Sequence, residues 1–487
     1  MARLVPVLAV VALVVSGASL CRAETPPEAP EGTLDARLKA LVGRPGGLTS
    51  DEVGRRAETS SFDVRARQKD VEAASAGVDQ ALVAYFPRLT LLGRYTRLSP
   101  LDSVPLGGGG GFSVGTTAQP GLIPAGAPLV SLPPYSFPVL VDNYLLQASL
   151  TVPISDYFLR ISQAYGAAEH TERGAQLNER ATRLKVASDA KLFYYAWVRA
   201  KLQVVVGEQA LAQSEGHLKD AKAGFEARTV SKADVLRVES QVASSELLLL
   251  RARNLADLYE HQVRVALHDD LTKRYEIGED VQGEAPSVDG ATSLAAMIAE
   301  AMDRRLEVRA LDETAWSLKN QAKSTRGAYY PRLDAFGDLI YANPNNRIIP
   351  QEQVFRGTWD VGLSVTWTPT DVGVSVAQSR SLEARAASTE AQKAALVDTL
   401  RVEVMREQQA FREAELSLQT TGRGLAAAEE SYRVRKELFA HGRATSVELT
   451  DAETDLTRAR LEAINARLDL RVARVRLLHA LGRDVPR

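Results

Sequence analysis

The side chains able to do chemistry in this 487-residue sequence are few and far apart. Six histidines, His170, His217, His261, His268, His441 and His479, are scattered, and only His261 and His268 fall near one helical face. Zinc ligands recur at short spacing with carboxylates or thiolates beside them. No such grouping occurs, so the six read as solvated surface, and neither metal nor cofactor is expected. The single cysteine, Cys21, allows no disulfide framework and no thiolate site. The five glycines Gly107 to Gly111 run into a Pro-rich stretch instead of opening a helix, which excludes a phosphate loop, and no nucleophile elbow is present. Tyr194, Tyr195 and Trp197 crowd one helical segment, where packing explains them better than a ligand platform. The chain is therefore not expected to be an enzyme, and its remaining polar residues take their meaning from the elements that carry them.

Export comes first among those elements. Arg3, the apolar run Leu4 to Val15 and small residues before Ala23 form a signal peptide over residues 1–23. Leu20 stands where a lipoprotein signal has a small residue, which favours ordinary cleavage over lipidation of Cys21. Residues 24–48 read as an N-terminal linker. A net charge of -2 argues against a nucleic-acid partner. No later stretch reaches the ~18 uninterrupted apolar residues of a spanning helix, so any membrane crossing must use β-strands.

The rest of the chain is written twice. Ala84-Tyr85-Phe86-Pro87-Arg88-Leu89 recurs 244 residues later as Ala328-Tyr329-Tyr330-Pro331-Arg332-Leu333, and Gly93 recurs as Gly337. Farther on the offset is 214: Phe225 matches Phe439, Asp234 Glu448, Glu239 Glu453 and Asp270 Asp484. The lost residues lie between the strands, where the loop from Pro100 to Asp142 is much longer than that from Pro344 to Gly357. Two such long copies point to duplicated halves, at 49–285 and 286–487, and not to a solenoid.

Each half predicts helix, strand, strand, helix. Prolines are absent between Ile154 and Ala285 and between Thr370 and Val485, leaving both blocks free to be helical. A helix from Phe158 to Phe225 would be on the order of 100 Å long. Helices near Ser50 to Ala84 and Ser231 to Leu267 are each about half that length, and Thr49 with Glu52 offers a capping box to the former. Leu449, Leu456, Ala463, Leu470 and Leu477, interleaved with Ala452, Ala459, Ala466, Ala473 and Ala480, keep the 3-4 spacing of a coiled-coil seam. Shifted by 214, only Ser245 breaks the apolar rule.

Between the helices, alternation takes over. Tyr144, Leu146, Ala148, Leu150 and Val152 face away from a mostly polar set, Asn143, Leu145, Gln147, Ser149 and Thr151, and Trp359, Val361, Leu363, Val365 and Trp367 face away from Thr358, Asp360, Gly362, Ser364, Thr366 and Thr368. The preceding strands are less regular, with Leu92, Phe336 and Ile340 as exceptions. Strands at about 88–98, 143–153, 332–342 and 357–369 have the length of tilted membrane strands, and Tyr95, Tyr144, Tyr341, Trp359 and Trp367 sit near their ends, where membrane-interface aromatics belong. Four strands cannot close a barrel, so a membrane role requires several chains.

These motifs together resemble the TolC family of outer-membrane efflux proteins: the repeated Tyr-(Phe/Tyr)-Pro-Arg-Leu, the element order, and the run Gly442-Arg443-Ala444-Thr445-Ser446-Val447-Glu448-Leu449-Thr450-Asp451-Ala452. The resemblance covers nearly the whole mature chain. It implies a mainly α protein with a membrane β-barrel part, a homotrimer whose twelve strands form one barrel continued by a coiled-coil periplasmic tunnel. It further implies a location in outer-membrane lipid and passive conduction from a periplasmic membrane-fusion adaptor and an inner-membrane transporter, in efflux or type I secretion. By position it puts Glu448, Asp451 and Asp234 at the periplasmic aperture. Its arginine falls on Ala444, with Arg443 one residue early. In a threefold assembly Glu448 and Asp451 would form rings of like charge. The alternative reading is a secreted coiled-coil scaffold with small soluble sheets.

Overall fold

A computed structural model describes residues 34–100, 140–283 and 293–484, together with two short strand pairs within 101–139. The signal peptide, Cys21, the start of the linker and the run Gly107 to Gly111 lie outside the described residues. The helices are α1 (Leu34–Leu41), α2 (Ser50–Ser60), α3 (Phe62–Val83), α4 (Ser162–Glu226), α5 (Lys232–Leu267), α6 (Leu294–Arg304), α7 (Leu306–Arg326), α8 (Pro369–Ala440) and α9 (Ser446–Ala480). The strands of the main sheet are β1 (Arg88–Arg97), β2 (Asp142–Val152), β3 (Arg332–Asn343) and β4 (Arg356–Thr366).

Two helices set the scale. α4 has 65 residues and α8 has 72, so each runs on the order of 100 Å. Pro369 opens α8 at the one helical position that tolerates it, and a π turn at Tyr157–Ile161 leads from β2 into α4. α4 packs along α5 over one part of its length and along α3 and α7 over another, and α8 is flanked in the same way by α9 and α7. The predicted seam is the contact surface: Leu449, Leu456, Leu470, Leu477 and the alanines between them are buried except Ala459, which is half-buried. Ser245 is buried too, a small residue fitting a close helix approach.

The helix expected from Ser50 to Ala84 is broken. Ser61 adopts an extended conformation (φ -60°, ψ 133°), its N–H donates to the Ala57 carbonyl, and its hydroxyl accepts from the Asp63 N–H at 3.2 Å. A serine hydroxyl that caps a new helix competes with continuing the old one. Arg305, 244 residues later, breaks α6 from α7 with the same backbone shape (φ -67°, ψ 117°), so the duplication extends to the bend.

The largest core lies halfway along the rods. Trp197, Tyr194 and Val198 of α4 pack with Val53, Val263, Ile277 and Leu468, all essentially inaccessible to solvent. A strap over residues 43–50 closes it by pairing in parallel with 276–279. The Leu48 N–H donates to Glu276 O at 2.8 Å, the Gly278 N–H donates to Leu48 O at 2.7 Å, and Tyr194 Oη donates to that same Leu48 carbonyl at 2.8 Å. Gly47 and Gly278 permit this approach, since a Cβ on Gly278 would stand 2.2 Å from the Gly47 carbonyl oxygen. Arg471 of α9 holds the end of the strap's partner segment by donating to the carbonyls of Asp280 and Gly283, each at 3.0 Å. Tyr194, Tyr195 and Trp197 are thus packing residues, as their spacing implied.

The sheet runs β1-β2-β3-β4, every neighbour antiparallel. Register places Leu91, Ala148, Leu339 and Trp359 in one row and Leu89, Leu150, Gly337 and Val361 in the next. This apolar face is uncovered: Leu91 is 75% exposed, Val361 73%, Trp359 71% and Leu363 69%. The opposite face carries rows such as Thr90, Ser149, Asp338 and Asp360. Leu92, Phe336 and Ile340 point to that polar side. Phe336 lies over Gly362, where a Cβ would meet its ring at 2.8 Å. Among the described residues, β1 and β4 each pair on one side only.

Candidate channel wall and aperture

The two turns that join α4 to α5 and α8 to α9 are copies of each other. The Thr229 N–H donates to the Gly224 carbonyl and the Arg443 N–H to the Leu438 carbonyl, both closing a helix through a residue in the left-handed region: Arg228 (φ 62°) and Gly442 (φ 67°). Each following helix opens with a capping box. Ser231 Oγ accepts from the Asp234 N–H at 3.2 Å while the Asp234 carboxylate accepts from the Ser231 N–H at 3.3 Å. Thr445 Oγ1 accepts from the Glu448 N–H at 3.3 Å, and Glu448 accepts from the Thr445 N–H at 2.8 Å.

Two of the acids that the resemblance puts at the aperture, Asp234 and Glu448, belong to helix capping boxes. The Thr445 backbone N–H, then its hydroxyl, holds the Glu448 carboxyl below the usual glutamate range, with Arg435 adding a weaker pull from 3.9 Å. Arg443 and Asp451 are exposed, and among the described residues neither makes a side-chain hydrogen bond or ion pair within the chain. Arg443 and Asp234 are not paired with each other in one protomer. Arg443 is exposed at the end of its hairpin, whereas Asp234 is half-buried with its carboxylate engaged by Ser231.

At the sheet, Tyr95 and Tyr144 stand cross-strand with ring centroids 5.0 Å apart, and Phe355 stacks on Tyr341 at 5.1 Å while reaching Tyr144 at 5.9 Å. Trp359 lies on the same face two residues farther in than Gly357, the partner of Tyr341. Trp367 follows the opposite end of β4 and is 53% exposed. Sequence reasoning passed over Phe355, and at the helical end it passed over Phe86, Phe158 and Tyr330, all largely exposed. The repeated Tyr-(Phe/Tyr)-Pro was the available signal for two of them.

Three histidines are not the solvated surface that was expected. His170 Nδ1 lies 2.7 Å from Glu313, His479 Nδ1 2.6 Å from Asp484, and His217 Nε2 3.3 Å from Tyr432 Oη. The partners of His170 and His217 come from other helices and were invisible to spacing along one chain. No group of three or more potential metal ligands exists among the described residues.

A sheet with one apolar and one polar face, both edges open, continued by rods some three times its length, defines a wall segment of a membrane duct. Among the described residues no helix is long and apolar enough to cross a membrane. The outer membrane efflux protein model matches residues 53–267 and 297–483, and the chain belongs to that family. It is an outer-membrane efflux channel protein whose helical part stands in the periplasm, and its family and fold are those of channels and not of enzymes. No curated protein matches the sequence. Among solved structures, CusC superposes with a TM-score of 0.72 at 13% identity, covering 89% of this chain and 92% of its own. The CmeC outer membrane channel of Campylobacter jejuni gives 0.70 at 14% identity, with 90% and 89% covered. VceC, an outer membrane protein of Vibrio cholerae, gives 0.69 at 15% identity, with 89% and 96% covered.

Proposed function

We propose that three copies of this chain join edge to edge, β4 of one to β1 of the next, into a twelve-stranded barrel whose helical rods enclose a passive periplasmic duct. The observation that carries this is the pairing of an uncovered apolar face with two unpaired sheet edges. Four strands are too few to close, and an exposed flat edge demands a partner. The strand directions suit it, because β4 and a following β1 meet antiparallel, like every pair within the chain. The two halves, 49–285 and 286–487, then act as quasi-equivalent staves. The duct receives its cargo from a periplasmic adaptor and an inner-membrane transporter at the helical end. The aromatic groups around Tyr95, Tyr144 and Tyr341 and around Trp367 mark the two interfaces of the membrane, with Trp359 set just inside the first.

The aperture reading assigns Asp234, Arg443, Glu448 and Asp451 to the narrow end. Its support is that both hairpins present charge there on rigid caps, with Arg443 and Asp451 left for partners outside the chain. Cysteines placed one on β1 and one on β4 should cross-link the purified protein into a trimer; a product limited to monomer would reject the assembly. Asp451→Ala should raise single-channel conductance in planar bilayers and weaken block by divalent cations. Identical conductance with and without divalent cations would remove Asp451 from the aperture.

A further inference from the structure

One ionisable cluster is unused by this account. Glu453 of α9, one heptad below Arg460, is buried with its side chain 4% exposed, and its Oε1 has no hydrogen-bond partner among the described residues. Its Oε2 lies 3.6 Å from Nε2 of His217 on α4, whose side chain is 13% exposed, and that nitrogen meets Tyr432 Oη of α8 at 3.3 Å. The three helices thus share an ionisable group beside the apolar seam. The first copy does not: Glu239, the counterpart of Glu453, lies half-exposed 3.6 Å from Lys222.

We propose that Glu453 is a proton-binding site in the tunnel wall, which when protonated lets α9 pack on α4 and α8 and when ionised loosens that packing beside the aperture. The step is simple dissociation, carboxylic acid to carboxylate, with the proton leaving to solvent. With His217 neutral, a carboxylate enclosed here lacks a contact cation. The charged and titratable groups that act on it are His217 from α4 and Tyr432 and Lys436 from α8, and behind them Asp220 acts on His217, Arg460 on Tyr432 and Glu429 on Arg460, while α5 touches α9 nearby through Gln241 and Thr454 at 3.4 Å. Lys436 acts on Glu453 only at a distance, and burial pushes the imidazole of His217 down, toward its neutral form. Burial also pushes the Glu453 carboxyl from an ordinary 4.5 up to about 7, Lys436 opposing it.

The sign follows from the raised value. Packed α9 holds the proton more tightly than loosened α9, so the packed form is fully favoured below the ordinary glutamate value, loses ground as pH rises toward 7, and loses no more beyond it. Proton binding needs only the single chain, whereas its effect on opening rests on the duct proposed above. The test is amide hydrogen exchange over residues 449–460 in the purified full chain, native against Glu453→Gln, which fixes the neutral shape. Expressing the result as the native-to-variant ratio cancels the intrinsic pH dependence of exchange. The ratio should rise by up to about tenfold per pH unit between pH 5 and 7 and then level off. A ratio flat across pH overturns the proposal. The native protein gives a second reading: the infrared band of a buried protonated carboxyl should be present at pH 6 and fade by pH 8, and its absence at pH 6 also overturns the site. In bilayers, native conductance should increase over the same range and that of Glu453→Gln should not. A protein that conducts nothing refutes the duct, while the exchange ratio still decides the proton site.

Discussion

The two hairpin turns form a controlled comparison at the level of single residues. Gly442 occupies the left-handed region freely, whereas Arg228 in the same position crowds its Cβ against the following carbonyl, a cost of about 1–2 kcal/mol. Arg228→Gly recovers part of it, offset by the greater freedom of glycine in the opened chain. A net gain of about 1 kcal/mol should slow amide exchange across residues 224–231 roughly fivefold. Glu448 behaves oppositely to Glu453 in pH. Its carboxyl is held low, so the cap is complete above the ordinary glutamate value and is lost as pH falls through the lower value of the folded protein. Acid should therefore free residues 445–448 to exchange while it tightens the packing around Glu453, five residues beyond Glu448, and Glu448→Gln should abolish the first effect without touching the second.

At the level of elements, periodicity proved a good guide wherever one interaction partner dominated. The seam of α9 was legible because every third or fourth residue meets the same neighbouring helix, and the β4 alternation because each face has one environment. Legibility failed where partners arrive from several directions. Leu92, Phe336 and Ile340 look like errors of alternation until Phe336 is seen filling the space over Gly362. The histidines looked solvated because Glu313 and Tyr432 are remote in sequence. The roles proposed for Arg443 and Asp451 rest on family resemblance, since two exposed charges near a turn have no signature of their own. The strap was wholly hidden, because Gly47 and Gly278 sit 231 positions apart. Its geometry gives a direct test: Gly278→Ala places a methyl group against the Gly47 carbonyl and should cost about 1–3 kcal/mol, opening residues 43–50 to limited proteolysis.

At the scale of the whole molecule, the two faces of the sheet make opposite demands. Val361→Arg puts a charge into the apolar row at mid-strand, where lipid makes it cost about 2–4 kcal/mol, and should reduce the heat-resistant, detergent-extracted assembly in outer-membrane fractions. Ser364→Arg, on the polar face beside Asp334, should leave that assembly intact. Equal loss in both variants would deny the faces their separate solvents. The strap carries a further consequence, for the order of events in time. A chain threaded out amino end first delivers residues 43–50 long before Glu276 to Gly278, and Arg471 last of all. The belt cannot fasten until the first rod and its return helix have emerged, and its buckle arrives only with the final helix. The strap's own pairing therefore waits on residues 276–278, and the hold of Arg471 on the partner segment waits on the final helix.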